Sequence, residues 1–252
     1  MGPSPVELCR KHGGIVQSSL SVLHARASRE NPIQAAKGSS SPASGSPADL
    51  LQDLHSAVQQ WHATHLSESP ESLRVNYKVY NGGTTTSDIR PIPRIALSHL
   101  FPTDLGHPND RPDEVAWTVS LDCQPTMIGA DTMYKTWDRR CYDRARASAG
   151  IATYLEQREV LLYNEDGEVM DASITTPYFF RNGRWTTPRT DSGGQQGTTR
   201  RWALEKRLCV EGIIPKKDPQ DGEVIWLSNA VRGYFRARFV IDRDAAIGKS
   251  SA

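Results

Sequence analysis

The chain has 252 residues and a formal charge of +1, and it contains no apolar run near the roughly 18 residues of a membrane-spanning helix. That length holds one large domain or two small ones, and the charge balance gives no general argument for nucleic acid or an anionic membrane as partner. The four cysteines, Cys9, Cys123, Cys141 and Cys209, form no closely spaced pair, so reduced thiols in a cytoplasmic protein are expected.

The first residues, "MGPSPVELCRKHGG", lack the continuous apolar stretch of a signal peptide. Residues 36–48, "AKGSSSPASGSPA", are rich in Ser, Gly and Pro and predict a flexible connection or a disordered insert. A helix should follow, with Ser46 as cap, Pro47 in its first position and Asp49 three residues after the cap. Leu51, Leu54, Val58 and Trp61 then recur at helical spacing. His55, His62 and His65 lie in this stretch and read as helix-surface residues. All seven histidines stand at or before His107, so no metal site or Ser-His-Asp triad can draw its imidazoles from the second half.

"LRVNYKVY" (73–80) alternates apolar and polar residues as a half-buried strand does, and "NGG" should turn it. "VAWTVSL" (115–121) alternates likewise. A helix carrying Arg139, Arg140, Arg144 and Arg146 is expected after Lys135. "REVLLYNEDGEVMDASIT" reads as strand, Asp-Gly turn, strand, and "YFFRNGRWTT" as a hairpin around Asn182-Gly183. "TTRRWALEKRLCVEG" reads as one helix starting after Gly197, and "EVIWLSN" as a strand. The second half is therefore expected to be a β-rich α+β domain.

Three features of this half suit one chemistry. Lys135 stands just ahead of a helix, beside Tyr134 and Thr136. Asp171 is an acid in a β segment. "SGGQQGTTRRW" (192–202) is a glycine turn leading into a helix, whose first amides are unpaired donors at the positive end of the dipole and suit a phosphate. Thr198 and Thr199 add hydroxyls, and Gly197 is expected to be where a Cβ is not tolerated. The segment is not a nucleotide P-loop, because no lysine follows its last glycine. An amine, a carboxylate and a phosphate cradle are what pyridoxal 5'-phosphate needs.

These residues resemble the class IV aminotransferase family, the fold-type IV pyridoxal-phosphate enzymes, which include D-amino-acid and branched-chain aminotransferases and 4-amino-4-deoxychorismate lyase. "YKTWDRRCYDRARA" is similar to the family's lysine segment, with Lys135, Thr136, Arg139 or Arg140, Tyr142 and Ala145. "EDGEVMDASITTPYFF" is similar to its acid segment, Gly193, Gly194, Gly197, Thr198, Thr199 and Arg200 to its phosphate turn, and Ser228, Asn229, Ala230, Arg232 and Gly233 to its last signature. The resemblance covers about residues 70–240. Asp171 is one methylene shorter than the family's usual glutamate. Thr176, followed by Pro177, stands where the family has asparagine. The family's "H..R" segment, which supplies a phosphate-binding arginine, has only "HARASRENPIQAAK" as its counterpart here, with Arg26 or Arg29.

The resemblance implies a D-amino-acid aminotransferase-like fold with a reduced or divergent small domain. Residues 1–48 would be a divergent, partly disordered region, 49–122 the rest of a small α/β domain, 123–245 a large cofactor domain and 246–252 a disordered tail. It implies Lys135 as the catalytic amine that joins the cofactor. Asp171, Thr176, Gly197, Thr198, Thr199, Ser228, Asn229 and Ala230 would be cofactor-binding residues, with no metal. The signatures look most like the fungal lyase, which forms 4-aminobenzoate and pyruvate for folate synthesis. An aminotransferase acting on branched-chain or D-amino acids or amines, and a non-catalytic remnant, are the alternatives. The partner would be a small-molecule amine, and the family implies a homodimer.

Overall fold

The computed structural model describes residues 15–18, 21–25, 47–67, 70–79, 85–110, 115–136 and 138–241. The chain divides into two compact units. One comprises residues 1–96 with Lys135–Trp137, the other residues 97–134 with 138–252. Among the described residues no helix is long and apolar enough to cross a membrane.

The first unit is built on a four-stranded sheet in the order β1-β2-β3-β4. Strands β1 (Ile15–Ser18) and β2 (Ser21–Ala25) are antiparallel, β2 runs parallel to β3 (Ser72–Val79), and β4 (Thr85–Ile92) closes antiparallel on β3. Leu73 and Val75 are buried and Arg74 between them is exposed, as the alternation of a half-buried strand requires. Helix α1 (Pro47–Thr64) packs against β4 and buries Leu54. His55 and His62 are exposed on it. Its expected cap, Ser46, lies outside the described residues, as do the "NGG" turn, Arg26 and Arg29.

The second unit holds an eight-stranded sheet, β10-β9-β8-β11-β12-β5-β6-β7. Its strands are β5 (Trp117–Leu121), β6 (Arg158–Tyr163), β7 (Val169–Ala172), β8 (Thr176–Arg181), β9 (Arg184–Pro188), β10 (Val210–Gly212), β11 (Val224–Asn229) and β12 (Gly233–Phe239). Pairs β12–β5, β5–β6 and β10–β9 are parallel and the others antiparallel. The sheet curls so that β7 comes back against β8 and β9. Val119, Leu161, Phe179, Ile225, Leu227 and Ala237 fill the inside.

Helix α2 (Leu97–Leu100) packs on β12, and α3 (Ala130–Met133) precedes α4 (Arg140–Ser148). Tyr142 and Ala145 of α4 pack on Val160, Leu162 and Met170. Strand β6 is therefore covered on both faces, which is why "VLLY" is continuously apolar instead of alternating. The Asn182-Gly183 hairpin forms as read, with both residues at positive φ (52° and 76°), the backbone of a type I′ turn.

Two boundaries differ from the sequence reading. The helix expected over "TTRRWALEKRLCVEG" is α5, Thr198–Glu205 only. Arg207 turns into the left-handed region (φ 59°) and Val210–Gly212 leaves to pair with β9. The strand expected to run on through "MDASIT" stops at Ala172, and the chain bends over Ser173–Thr175 before β8 begins at Thr176.

Candidate active site

Asp171 owes its direction to an irregularity in β7. The register between β6 and β7 pairs Leu162 with Asp171 and Tyr163 with Val169, so Met170 is an extra residue. A bulge of this kind turns two consecutive side chains to one side. Val169 and Ala172 accordingly face the sheet interior, while Met170 joins the cluster under α4 and Asp171 meets Tyr142 of that helix. The Tyr142 hydroxyl lies 3.3 Å from Asp171 Oδ2 and 3.3 Å from the Thr132 carbonyl. The Gln195 amide donates to the same carboxylate oxygen at 3.3 Å. Asp171 is 5% exposed. Burial, with the charge of Glu159 adding to it, pushes its carboxyl up to about 7, against the pull of the Ala172 and Gln195 amides and the Tyr142 hydroxyl.

The glycine turn lies directly on this acid. A Cβ on Gly194 would stand 1.9 Å from the Met170 carbonyl oxygen and 3.2 Å from Asp171 Cβ. Gly197, by contrast, has an ordinary φ of −61°, and a Cβ there would meet only Thr176 Oγ1, at 3.6 Å. A side chain is thus excluded at Gly194, and disfavoured at Gly193 by its φ of 93°, but not at Gly197.

Gly197 is the N-cap of α5. Thr198 and Thr199 follow as its first residues, half-buried and 4% exposed respectively. Ser228 lies behind them on β11 opposite Thr176 and donates to Thr199 Oγ1 at 2.8 Å. Arg200 is 3% exposed, and its guanidinium is taken up by the Pro188 carbonyl, Gln196 and Glu211. Asn229 is half-buried and its side chain serves the chain itself. It donates to the Ile174 carbonyl at 3.1 Å and accepts from the Val231 and Arg232 amides at 3.0 and 2.8 Å. Ala230 follows, 6% exposed. The structure therefore brings Asp171, Thr176, Gly197, Thr198, Thr199, Ser228, Asn229 and Ala230 to one end of the sheet.

Lys135 is exposed and falls with the first unit, whereas Tyr134 and Asp138 on either side of its segment belong to the second. Within the second unit both flanks of that segment are tied to the acid. Thr132 and Tyr142 meet at the Tyr142 hydroxyl, which also reaches Asp171. Of the two arginines that the lysine segment offered, Arg139 joins this network. It donates to the Ser173 carbonyl at 2.6 Å and lies over the Tyr142 ring. Arg140 is exposed and pairs with Asp138.

Sequence reading missed Glu159. It is 1% exposed and accepts from the amides of Val160, Ser173 and Ile174 (2.9, 3.1 and 3.1 Å) and from the hydroxyls of Thr175 (2.9 Å) and Ser173. Burial pushes its carboxyl up, against these donors. Arg146 of α4 donates to the Ser173 hydroxyl at 3.0 Å. The bend after Asp171 is thus clamped from β6 and α4. One signal existed, an acid inside an apolar strand facing a run of hydroxyl residues downstream.

A buried carboxylate of raised pKa suits a partner that can carry a proton. The unpaired first amides of α5, with two hydroxyls beside them, suit an anion. The residues present fit the ring nitrogen and the phosphate of pyridoxal 5'-phosphate, with Asp171 at one and Thr198 and Thr199 at the other.

Comparison with known proteins bears on this geometry. The family model described as amino-transferase class IV matches residues 43–239. A putative aminodeoxychorismate lyase of Schizosaccharomyces pombe is 29% identical over 178 residues, covering 69% of each chain. The aminodeoxychorismate lyase of Saccharomyces cerevisiae is 31% identical over 134 residues, 47% of this chain and 36% of that one. Among solved structures, a putative amino-acid aminotransferase from Mesorhizobium loti superposes with a TM-score of 0.51 at 26% identity, over 64% of this chain and 70% of that one.

Proposed function

The chain belongs to the class IV aminotransferase family, whose members are pyridoxal-phosphate enzymes, and on that premise we propose that it is a lyase of the aminodeoxychorismate type. The observation that carries the reading is Asp171, a carboxylate buried between the Tyr142 hydroxyl and the first turn of the glycine loop. The two fungal relatives, both named as lyases, favour this reaction over transamination.

In this reading Asp171 holds a proton at the cofactor's ring nitrogen. The first amides of α5 with Thr198 and Thr199 hold its phosphate, and Ser228, Thr176, Asn229 and Ala230 shape the cradle. When bound, the cofactor supplies an electron sink for a carbanion at the amine-bearing carbon. Lys135 would anchor it covalently, and its amine, when free, would remove the proton from that carbon. The same amine would return a proton to the carbon that leaves as pyruvate, the other product being 4-aminobenzoate. Asp171 is a shorter acid than the family's glutamate. The bulge at Met170 supports its use, because it turns the carboxylate toward the glycine loop.

The reading extends to a cytoplasmic enzyme of folate precursor synthesis that acts as a homodimer. A class IV aminotransferase is the second reading, favoured by the likeness to the Mesorhizobium loti protein. Borohydride treatment followed by peptide mapping tests the assignment of Lys135. A cofactor adduct on Lys135 is expected, and an adduct on any other lysine would move the catalytic amine elsewhere.

A further inference from the structure

Thr199 is held from two sides by buried tyrosines. Tyr178, fully buried on β8, lies 2.8 Å from the Ser228 hydroxyl, and Ser228 donates to Thr199 Oγ1 at 2.8 Å. Tyr234, 4% exposed on β12, donates to the Thr199 carbonyl, and its ring packs against that of Tyr178. Each hydroxyl carries one hydrogen. Ser228 spends its hydrogen on Thr199, so the contact between Tyr178 and Ser228 is a hydrogen bond only if Tyr178 donates. The chain therefore runs one way, from Tyr178 through Ser228 to Thr199. Thr199 accepts, and its own hydrogen remains. Among the described residues no acceptor takes it. Burial pushes both phenols up, so Tyr178 and Tyr234 stay protonated donors throughout the working range.

We propose that Tyr178 is a positioning residue for the anion cradle, which acts through Ser228 to leave the Thr199 hydrogen free to be donated to a phosphate oxygen. This rests on the reading of the α5 terminus as a phosphate site. The Thr199 hydroxyl has one hydrogen and two lone pairs; the bond from Ser228 fills one lone pair and leaves the hydrogen for an oxygen of the anion. Cooperative polarisation along the chain strengthens the last donor.

The test compares the dissociation constants of pyridoxal 5'-phosphate and of pyridoxal, which lacks the phosphate, for the wild type, Tyr178→Phe, Ser228→Ala, the double variant and Thr199→Val. Tyr178→Phe keeps the ring that packs on Tyr234. It should weaken pyridoxal 5'-phosphate binding about five- to ten-fold, the size of one hydrogen bond, and leave pyridoxal binding unchanged. Ser228→Ala should show the same selective loss, and adding Tyr178→Phe to it should cost nothing more, because the link is already cut. Equal weakening of both ligands in Tyr178→Phe would overturn the proposal, since it would mark a packing role. Wild-type affinity in Tyr178→Phe alongside a loss in Thr199→Val would overturn the role of Tyr178 alone. Unchanged affinity in both variants would instead remove the phosphate cradle on which the proposal stands.

Discussion

The hydroxyl of Tyr142 lies 3.3 Å from Oδ2 of Asp171, and this contact joins the helix that follows the Lys135 segment to the strand that carries the acid. It favours the ionised carboxylate, against the burial that pushes Asp171 up to about 7. Tyr142→Phe keeps the ring beneath Arg139 and removes the donor. The Asp171 titration should then move upward, and its ionised share at neutral pH should fall. Pyridoxal 5'-phosphate should bind about three- to ten-fold more weakly at pH 7, with the difference closing as pH rises well above the new midpoint. Dissociation constants measured across pH 6–9 check this. Identical pH profiles would sever the link between Tyr142 and the acid.

Asp171 should also cost the cofactor-free protein stability. Its folded pKa of about 7 stands above the ordinary carboxyl value of 3.8. Between these values the folded state binds more protons than the unfolded state, so the stability of unfolding declines as pH rises from about 4 through about 7. The contribution is present below the unfolded pKa and lost above the folded one. Asp171→Asn removes the titration. The variant should be more stable than the wild type at pH 8 by up to about 4 kcal/mol, taking roughly 1.4 kcal/mol per pKa unit, and the gap should shrink toward pH 4. Urea denaturation of both proteins without cofactor at the two pH values measures it.

The glycine loop separates two substitutions that look equivalent in sequence. Gly194→Ala drives a Cβ into the Met170 carbonyl, 1.9 Å away. Backbone must move, at a cost on the order of 3 kcal/mol. Gly197→Ala meets only Thr176 Oγ1 at 3.6 Å and should cost under about 1 kcal/mol, the loss expected for alanine at an N-cap. Thermal melts of the two variants should rank in that order.

Glu159 offers a further check on the clamp behind the acid. Glu159→Gln replaces one carboxylate oxygen, either Oε1, which accepts from Val160 and Ser173, or Oε2, which accepts from Ile174 and Thr175, by an amide that donates. Leaving those buried donors unpaired should destabilise the fold by about 2–4 kcal/mol. Removing the nearby negative charge should at the same time lower the Asp171 titration, since that charge helps to raise it. A variant as stable as the wild type would contradict the clamp.

What was legible in the sequence was mostly local. The Asn182-Gly183 hairpin follows from two residues able to take positive φ, and β3 from period-two alternation over Leu73, Arg74 and Val75. The end of α5 was not legible, because "TTRRWALEKRLC" keeps a helical composition while pairing with β9 takes Val210–Gly212 away. The eight-stranded order was also out of reach, since β12 pairs with β5, far back in the chain. At the site, Asp171 and the glycine turn stood out through resemblance. Tyr142 was named in the lysine segment, but its contact with the acid was not read, and Glu159 and Tyr178 were not singled out, because their partners lie 29, 14 to 16 and 50 residues away and only the folded sheet brings them together. The bulge that aims Asp171 has no composition of its own.

The central claim is a lyase reaction, which closes its cycle without a second substrate. A transaminase would keep the amino group on its cofactor and wait for a keto acid. The direct measurement supplies the purified protein, loaded with pyridoxal 5'-phosphate, with aminodeoxychorismate alone and follows 4-aminobenzoate and pyruvate together. The account predicts many equivalents of both products per enzyme, in equal amounts, with no keto acid present. Turnover that stops within one equivalent and resumes only on adding a keto acid would contradict it.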